Sequence, residues 1–176
     1  DEPTELTVIT TNAGNTSCPD GLTCDGEALA TANGGTTPYQ FLWTSGETLA
    51  QAAGLCSDIN WVTVTDDHLC TVDTYAIIGV PDSIVTQGFG DTTICITNIA
   101  ALVAASTGGT PPYSYIWTEG SLAGSVVSTS VLANVDPIED QVYFVSSSDD
   151  NGCVGDTSVV FVNVRDPLGV EFNDLD

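Results

Sequence analysis

The sequence predicts an all-β protein made of two tandem antiparallel sandwiches, and three observations carry that expectation. Short segments alternate apolar and polar residues, as in Leu6-Thr7-Val8-Ile9-Thr10, Trp61-Val62-Thr63-Val64-Thr65 and Val159-Val160-Phe161-Val162-Asn163-Val164. That period of two belongs to half-buried strands. Turn-forming clusters separate them, among them Asn33-Gly34-Gly35, Gly108-Gly109 and Asp150-Asn151-Gly152. One block also occurs twice: residues 34–43 and 108–117 both run Gly-Gly-Thr-x-Pro-Tyr-x-aromatic-x-Trp.

The repetition continues downstream, where Thr65-Asp66-Asp67-His68-Leu69-Cys70 matches Ser148-Asp149-Asp150-Asn151-Gly152-Cys153. Each copy therefore carries a turn, a Trp-bearing strand, and a later strand ending in Asp with a Cys four residues on. The expected domains are residues 1–82 and 83–176. Units of roughly 75–85 residues lie near the lower end of domain size, where disulfides compensate for a small core.

Within the block, the glycine pair permits a bend with φ > 0, and the proline delays pairing of the next strand. Tyr39, Phe41 and Trp43 alternate, as do Tyr113, Tyr115 and Trp117, so each triplet lines one strand face. Trp43 and Trp117 are expected in the core, like the buried Trp of an immunoglobulin-like sandwich packed on an inter-sheet cystine. Tyr39 and Tyr113, where the strand begins, are the candidates for a ligand-facing position. Residues 48–54 (TLAQAAG) offer the one plausible helical turn.

Six cysteines, at 18, 24, 56, 70, 95 and 153, are spread without the close pairs of a zinc site. They read as structural disulfides of an oxidising compartment. The repeat suggests Cys95–Cys153 and, by analogy, Cys18–Cys70, with Cys24–Cys56 as an extra bridge. Cys24–Cys70 with Cys18–Cys56 is the alternative.

The chain holds 24 acidic residues against one basic residue, Arg165, for a net charge of −23. Nucleic acid and anionic lipid need a Lys/Arg footprint and are excluded as partners. No apolar run reaches the roughly 18–20 residues that span a bilayer as a helix. Calcium takes oxygen ligands from clustered carboxylates, so it is the one cofactor these residues suggest. The candidates are Asp66, Asp67, Asp149 and Asp150, with Asp136, Glu139 and Asp140 as a further cluster. For Asp66 and Asp149 the favoured reading is capping of their turns through side-chain bonds to backbone N–H groups, with calcium second.

Catalytic groupings are scarce. A Ser-His-Asp triad has only His68 to draw on. The chain has no lysine and no glycine-rich phosphate loop ahead of a helix. A non-enzyme is expected. The chain has no methionine and opens Asp1-Glu2-Pro3, which reads as a mature product or an excised fragment.

The block Gly-Gly-Thr-Pro-Pro-Tyr-x-Tyr-x-Trp, followed by Asp-Asp-Asn-Gly-Cys, resembles the repeats of secreted Bacteroidetes surface proteins, the SprB-type gliding-adhesin repeats and related PKD-like or Ig-like modules. The resemblance covers roughly residues 17–165 and is specific for the module rather than for function. The first copy departs from it at His68-Leu69, where Asn-Gly is usual. It implies tandem Ig-like domains acting as spacers or adhesive units in a secreted or cell-surface protein. Two roles follow as expectations. One is a structural subunit that self-associates head-to-tail into a fibre. Its assembly residues would be Glu5, Leu6, Thr7, Val8, Ile9, Thr10 and Thr11 at one end and Val170 and Phe172 at the other, with calcium bridging acidic faces. The other is a monomeric adhesin that binds a glycan or another surface ligand.

Overall fold

A computed structural model describes residues 4–165 of the chain. Every regular element among them is a strand. The chain divides into two compact units, residues 1–82 and 83–176.

In unit 1, β1 (Thr7–Gly14), β2 (Gly26–Asn33) and β4 (Gln51–Leu55) form one antiparallel sheet in the order β1-β2-β4. The facing sheet is β3 (Gln40–Trp43), β5 (Asp58–Thr65) and β6 (Thr71–Ile78), in that order. Residues 48–54 contain no helical turn; most of the segment belongs to β4. Tertiary pairing overrides the weak helical preference there: β4 aligns along β2, with Ala52 opposite Ala28.

Unit 2 repeats the plan with one enlarged sheet. β7 (Val85–Phe89), β9 (Ala100–Thr107) and β12 (Leu132–Val135) make the smaller layer, ordered β12-β9-β7. The other runs β11-β10-β13-β14-β8, using β8 (Thr92–Cys95), β10 (Ser114–Glu119), β11 (Val126–Ser128), β13 (Gln141–Ser148) and β14 (Val154–Arg165). The chain crosses between layers at Gly90, whose φ of 124° suits glycine, so β8 lies parallel to β14 with Thr92 opposite Val162.

Each unit closes over one apolar cluster. Trp43 sits among Ala28, Ala30, Ala52, Leu55, Val62, Val64, Ala76 and Ile78. Trp117 occupies the matching place among Ala100, Leu102, Ala104, Ala133, Tyr143, Val145 and Val160. Both indoles are fully buried, and both spend their N–H on a loop carbonyl, Leu49 at 3.0 Å and Ser130 at 3.1 Å. Neither cluster contains a cysteine, which corrects the expectation of an indole stacked on a cystine. Small residues of the facing sheet make the room instead. In unit 2, a Cβ on Gly88 would stand 3.5 Å from the Trp117 ring.

Of the three expected disulfides, the Cys24–Cys56 bridge forms and the other two do not. Cys24 and Cys56 are bonded, with Cα atoms 4.0 Å apart. They join the residues just before β2 and just after β4, where Gly26 lies opposite Leu55. Closing this loop stabilises the fold by about 4 kcal/mol on a chain-entropy basis. Cys18 and Cys153 are disulfide-bonded, while Cys70 and Cys95 are free thiols. The expected pairs Cys18–Cys70 and Cys95–Cys153 therefore do not form, nor does the alternative set. Geometry explains why. Cys70 immediately precedes β6, whereas Cys18 lies near its far end, where the Thr16 N–H donates to the Gly79 carbonyl. Cys153 begins β14, whereas Cys95 aligns with Arg165 at its end. Strand rise puts about 25 Å or more between the members of each expected pair, against the roughly 4–7 Å that a disulfide spans.

Truncating the buried indole tests this core assignment. Trp117→Ala is expected to cost about 3–5 kcal/mol, read as a lower urea midpoint of the near-UV signal. A midpoint within experimental error of wild type would contradict it.

Candidate functional site

The repeated sequence motifs meet in space at one pole of each unit, where the glycine pair faces the Asp-bearing turn. Asp66 follows β5 and Asp149 follows β13, and both are buried, at 2% and 6% exposure. Asp66 Oδ2 accepts the Thr36 N–H at 2.9 Å, and its Oδ1 accepts those of His68 and Cys70, also at 2.9 Å. Asp149 accepts Thr110, Asn151 and Cys153 in the same manner at 2.9–3.0 Å. A return bond completes each knot: Asp67 N–H donates to the Thr36 carbonyl and Asp150 N–H to that of Thr110, both at 2.9 Å.

Glycine is required opposite these carboxylates. Gly35 and Gly109 have φ of 59° and 57°, and a Cβ on either would stand 2.8 Å from the aspartate Oδ2. The following tyrosine bends back to the same turn. Tyr39 Oη donates to the Gly34 carbonyl, and Tyr113 Oη to that of Gly108 at 2.6 Å.

At Asp66 and Asp149 this geometry is the capping arrangement rather than a calcium site. A carboxylate already accepting three amide hydrogens has its lone pairs directed into the backbone. Asp67 and Asp150 point to solvent, as do Asp136, Glu139 and Asp140, and Asp140 Oδ1 accepts the Val164 N–H. Among the described residues no group of three or more His, Cys, Asp or Glu side chains is placed to hold a metal. Tyr39 and Tyr113 likewise have their hydroxyls committed to the turn and are half-buried rather than presented to a ligand.

His68 also belongs to the knot. Its Nδ1 lies 3.1 Å from Thr36 Oγ1, and in unit 2 Asn151 Nδ2 donates to Thr110 Oγ1 at 3.2 Å. Histidine thus does in one copy what asparagine does in the other. Leu69 keeps the turn geometry that glycine provides elsewhere, with φ of 65° against 80° for Gly152.

At this pole of unit 1, Glu5, Leu6, Asp66, His68 and Cys70 line a cavity of about 290 Å³. In unit 2, Glu119, Asp136 and Tyr143 line a separate one of about 270 Å³. Burial, then the nearby Glu119 charge and its hydrogen bond, push the Tyr143 hydroxyl up to about 12, so it stays protonated across physiological pH.

The N-terminal segment completes its own sandwich. Thr7 to Thr11 pair with Asn33 to Leu29 of β2, Leu6 is buried, and Thr10 Oγ1 and Asn12 Nδ2 donate to the Tyr75 and Ile77 carbonyls of β6. Thr7 to Thr11 belong to the edge strand of their own sheet, paired on one side with β2. Val170 and Phe172 lie outside the described residues.

Sequence reasoning missed a further surface. On the outer face of β5 and β6, Ile59 stands opposite Ile77 and Trp61 opposite Tyr75. All four are exposed, with the two rings in edge contact at 5.1 Å. Leu42 on β3 extends this apolar ladder. Unit 2 carries a shallower counterpart, in which exposed Val159 and Phe161 stand opposite half-buried Phe144 and Val142. The alternation in Trp61-Val62-Thr63-Val64 shows two faces; which one is inward is set by Val62 and Val64 packing under Trp43.

No protein-family model and no curated protein matches the chain. Solved structures do. Three N-terminal domains of the bacteriophage RB49 Highly Immunogenic Outer Capsid protein (Hoc) align with 90% of this chain at TM-score 0.54 and 13% identity. The chain spans 58% of that structure's length. Fibronectin(III)-like modules of Clostridium thermocellum CbhA align over 96% of this chain and all of theirs, at TM-score 0.45 and 11% identity. The PKD domain of human KIAA0319 aligns over 48% of this chain and 83% of its own, at 0.39 and 20%. The likeness to Hoc is one of fold, and both units are Ig-like β-sandwiches.

Two outcomes test the knot. Leu69→Gly is expected to stabilise by about 1 kcal/mol, the left-handed strain relieved less the added freedom of the unfolded chain, while Gly152→Leu destabilises; unchanged urea midpoints in both would refute this. The second concerns acid. Amide donation from Thr36, then Cys70 and His68, holds the Asp66 carboxyl below its usual range. Its contribution is therefore present above the ordinary carboxylate value of about 3.9 and is lost as pH falls through the folded value. The stability gap between wild type and Asp66→Asn should shrink between about pH 5 and pH 2; a pH-independent gap counts against it.

Proposed function

We propose that this chain is a non-enzymatic structural or adhesive unit of a secreted bacterial surface protein, which self-associates into a filament or surface layer. One observation carries the reading. The groups that could have done chemistry, Asp66, Asp149, His68 and the two tyrosine hydroxyls, are consumed by the fold. What each unit presents outward is an apolar ladder on one sheet. Contiguous exposed apolar surface is a feature of interaction faces. The cystines support an oxidising, extracellular setting, and the repeat motif supports kinship with the Bacteroidetes adhesin modules.

The net charge of −23 opposes association. Screening shortens its reach from about 30 Å at 0.01 M salt to about 8 Å at 0.15 M. Negative-stain electron microscopy of the purified chain is expected to show filaments or sheets at the higher ionic strength, reduced by Trp61→Ser. Dispersed monomers at both salt levels would remove the reading. The exposed Trp61–Tyr75 pair favours a second reading, a glycan-binding adhesin, because aromatic faces are suited to sugar rings. Glycan-array binding by monomers, abolished by the same substitution, would establish it in place of the first.

A further inference from the structure

The free thiols occupy a particular pair of places. In unit 1, Cys70 stands at the pole where the chain comes in, beside Glu5 and Leu6, and Cys18 at the pole where it goes out, beside Gly79. In unit 2, Cys153 stands at the incoming pole, following the turn whose Asp149 approaches Gly109, itself beside Ile84, and Cys95 at the outgoing pole opposite Arg165. Apart from the bonded Cys24–Cys56 pair, which shares the outgoing pole of unit 1 with Cys18, each pole has a single cysteine. The segment connecting the units leaves by the Cys18 pole and arrives at the Cys153 pole, and both of those cysteines are oxidised. The two poles away from the connection carry Cys70 and Cys95, both reduced and both exposed.

We propose that copies of this chain are joined in series by a disulfide between Cys95 of one copy and Cys70 of the next. The inference rests on the self-association reading and names its covalent step. Cys70 opens on the cavity at its pole, which leaves its sulfur approachable. Exposed thiols in a chain whose other cysteines are oxidised meet disulfide oxidants in the same compartment. The Cys95 thiol loses its proton and its thiolate attacks a low-molecular-weight disulfide, forming a mixed disulfide and releasing one thiol. The Cys70 thiolate of the next copy attacks the Cys95 sulfur of that mixed disulfide and displaces the second thiol. Two cysteines lose two protons and two electrons, and the oxidant's S–S bond becomes two thiols.

Oxidised glutathione supplies the test. Incubating the chain with it should give a ladder of multimers on non-reducing gels that dithiothreitol collapses. Cys70→Ser and Cys95→Ser should each stay monomeric on its own, the two mixed together should give a Cys95–Cys70 dimer, and the double variant should stay monomeric. In a mixture of ¹⁵N-labelled and unlabelled wild type, mass spectrometry of Glu-C digests should find Cys70–Cys95 peptides carrying both labels. The proposal fails if those peptides carry one label only, if only Cys70–Cys70 or Cys95–Cys95 links form, or if no link forms. Microscopy of the same samples separates the two readings. Filaments without Cys70–Cys95 links sink the linkage and leave self-association standing; links without filaments do the reverse.

Discussion

The constraint on which both sandwiches depend is a buried carboxylate with nowhere to go but the backbone. Asp66 and Asp149 each accept three amide hydrogens from two separate turns. An ionised group at that depth is tolerable only when its lone pairs are satisfied. The satisfied arrangement fixes the distance between the Gly-Gly bend and the later hairpin. That distance in turn sets how β3 meets β5, and β10 meets β13, and so where each indole falls in its core. Thr36 and Thr110 sit at the hub, donating through N–H and accepting through C=O at once.

Much of this was legible in the sequence because the repeat named its own parts. Two copies of Gly-Gly-Thr and two of Asp-Asp-x-x-Cys flag residues that act together, although 30 positions separate Asp66 from Thr36. The strands and the core tryptophans followed from alternation. Disulfide connectivity did not, since sequence order says nothing of which pole of a strand a cysteine occupies. Cys18 and Cys70 look like partners in a linear reading but stand at opposite ends of β6. The choice between capping and calcium at Asp66 stayed open in the sequence for a related reason. A carboxylate that binds a cation and one that binds amides are the same residue until the backbone around it is known. The outer apolar ladder was hidden because a two-residue period marks two faces without ranking them.

The copies also show how far a turn tolerates substitution when its frame is held elsewhere. Unit 1 places leucine where unit 2 has glycine, in nearly the same left-handed conformation, and histidine where unit 2 has asparagine. The carboxylate contacts are unchanged to within 0.1 Å. The strain at Leu69 persists because the surrounding hydrogen bonds leave the backbone no alternative path.

The strand crossing at Gly90 has a mechanical consequence. It sets β8 parallel to β14, so that near the outgoing pole the second and last strands of unit 2 are joined by main-chain bonds running across the direction of pull, from Thr92–Val162 to Cys95–Arg165. Tension applied through the chain loads these bonds together, in shear. Unit 1 has no such parallel ladder among its described residues; β1 reaches β6 through the side chains of Thr10 and Asn12. Stretched from its ends, the molecule would yield first in unit 1, where Cys24–Cys56 limits how much chain length is released.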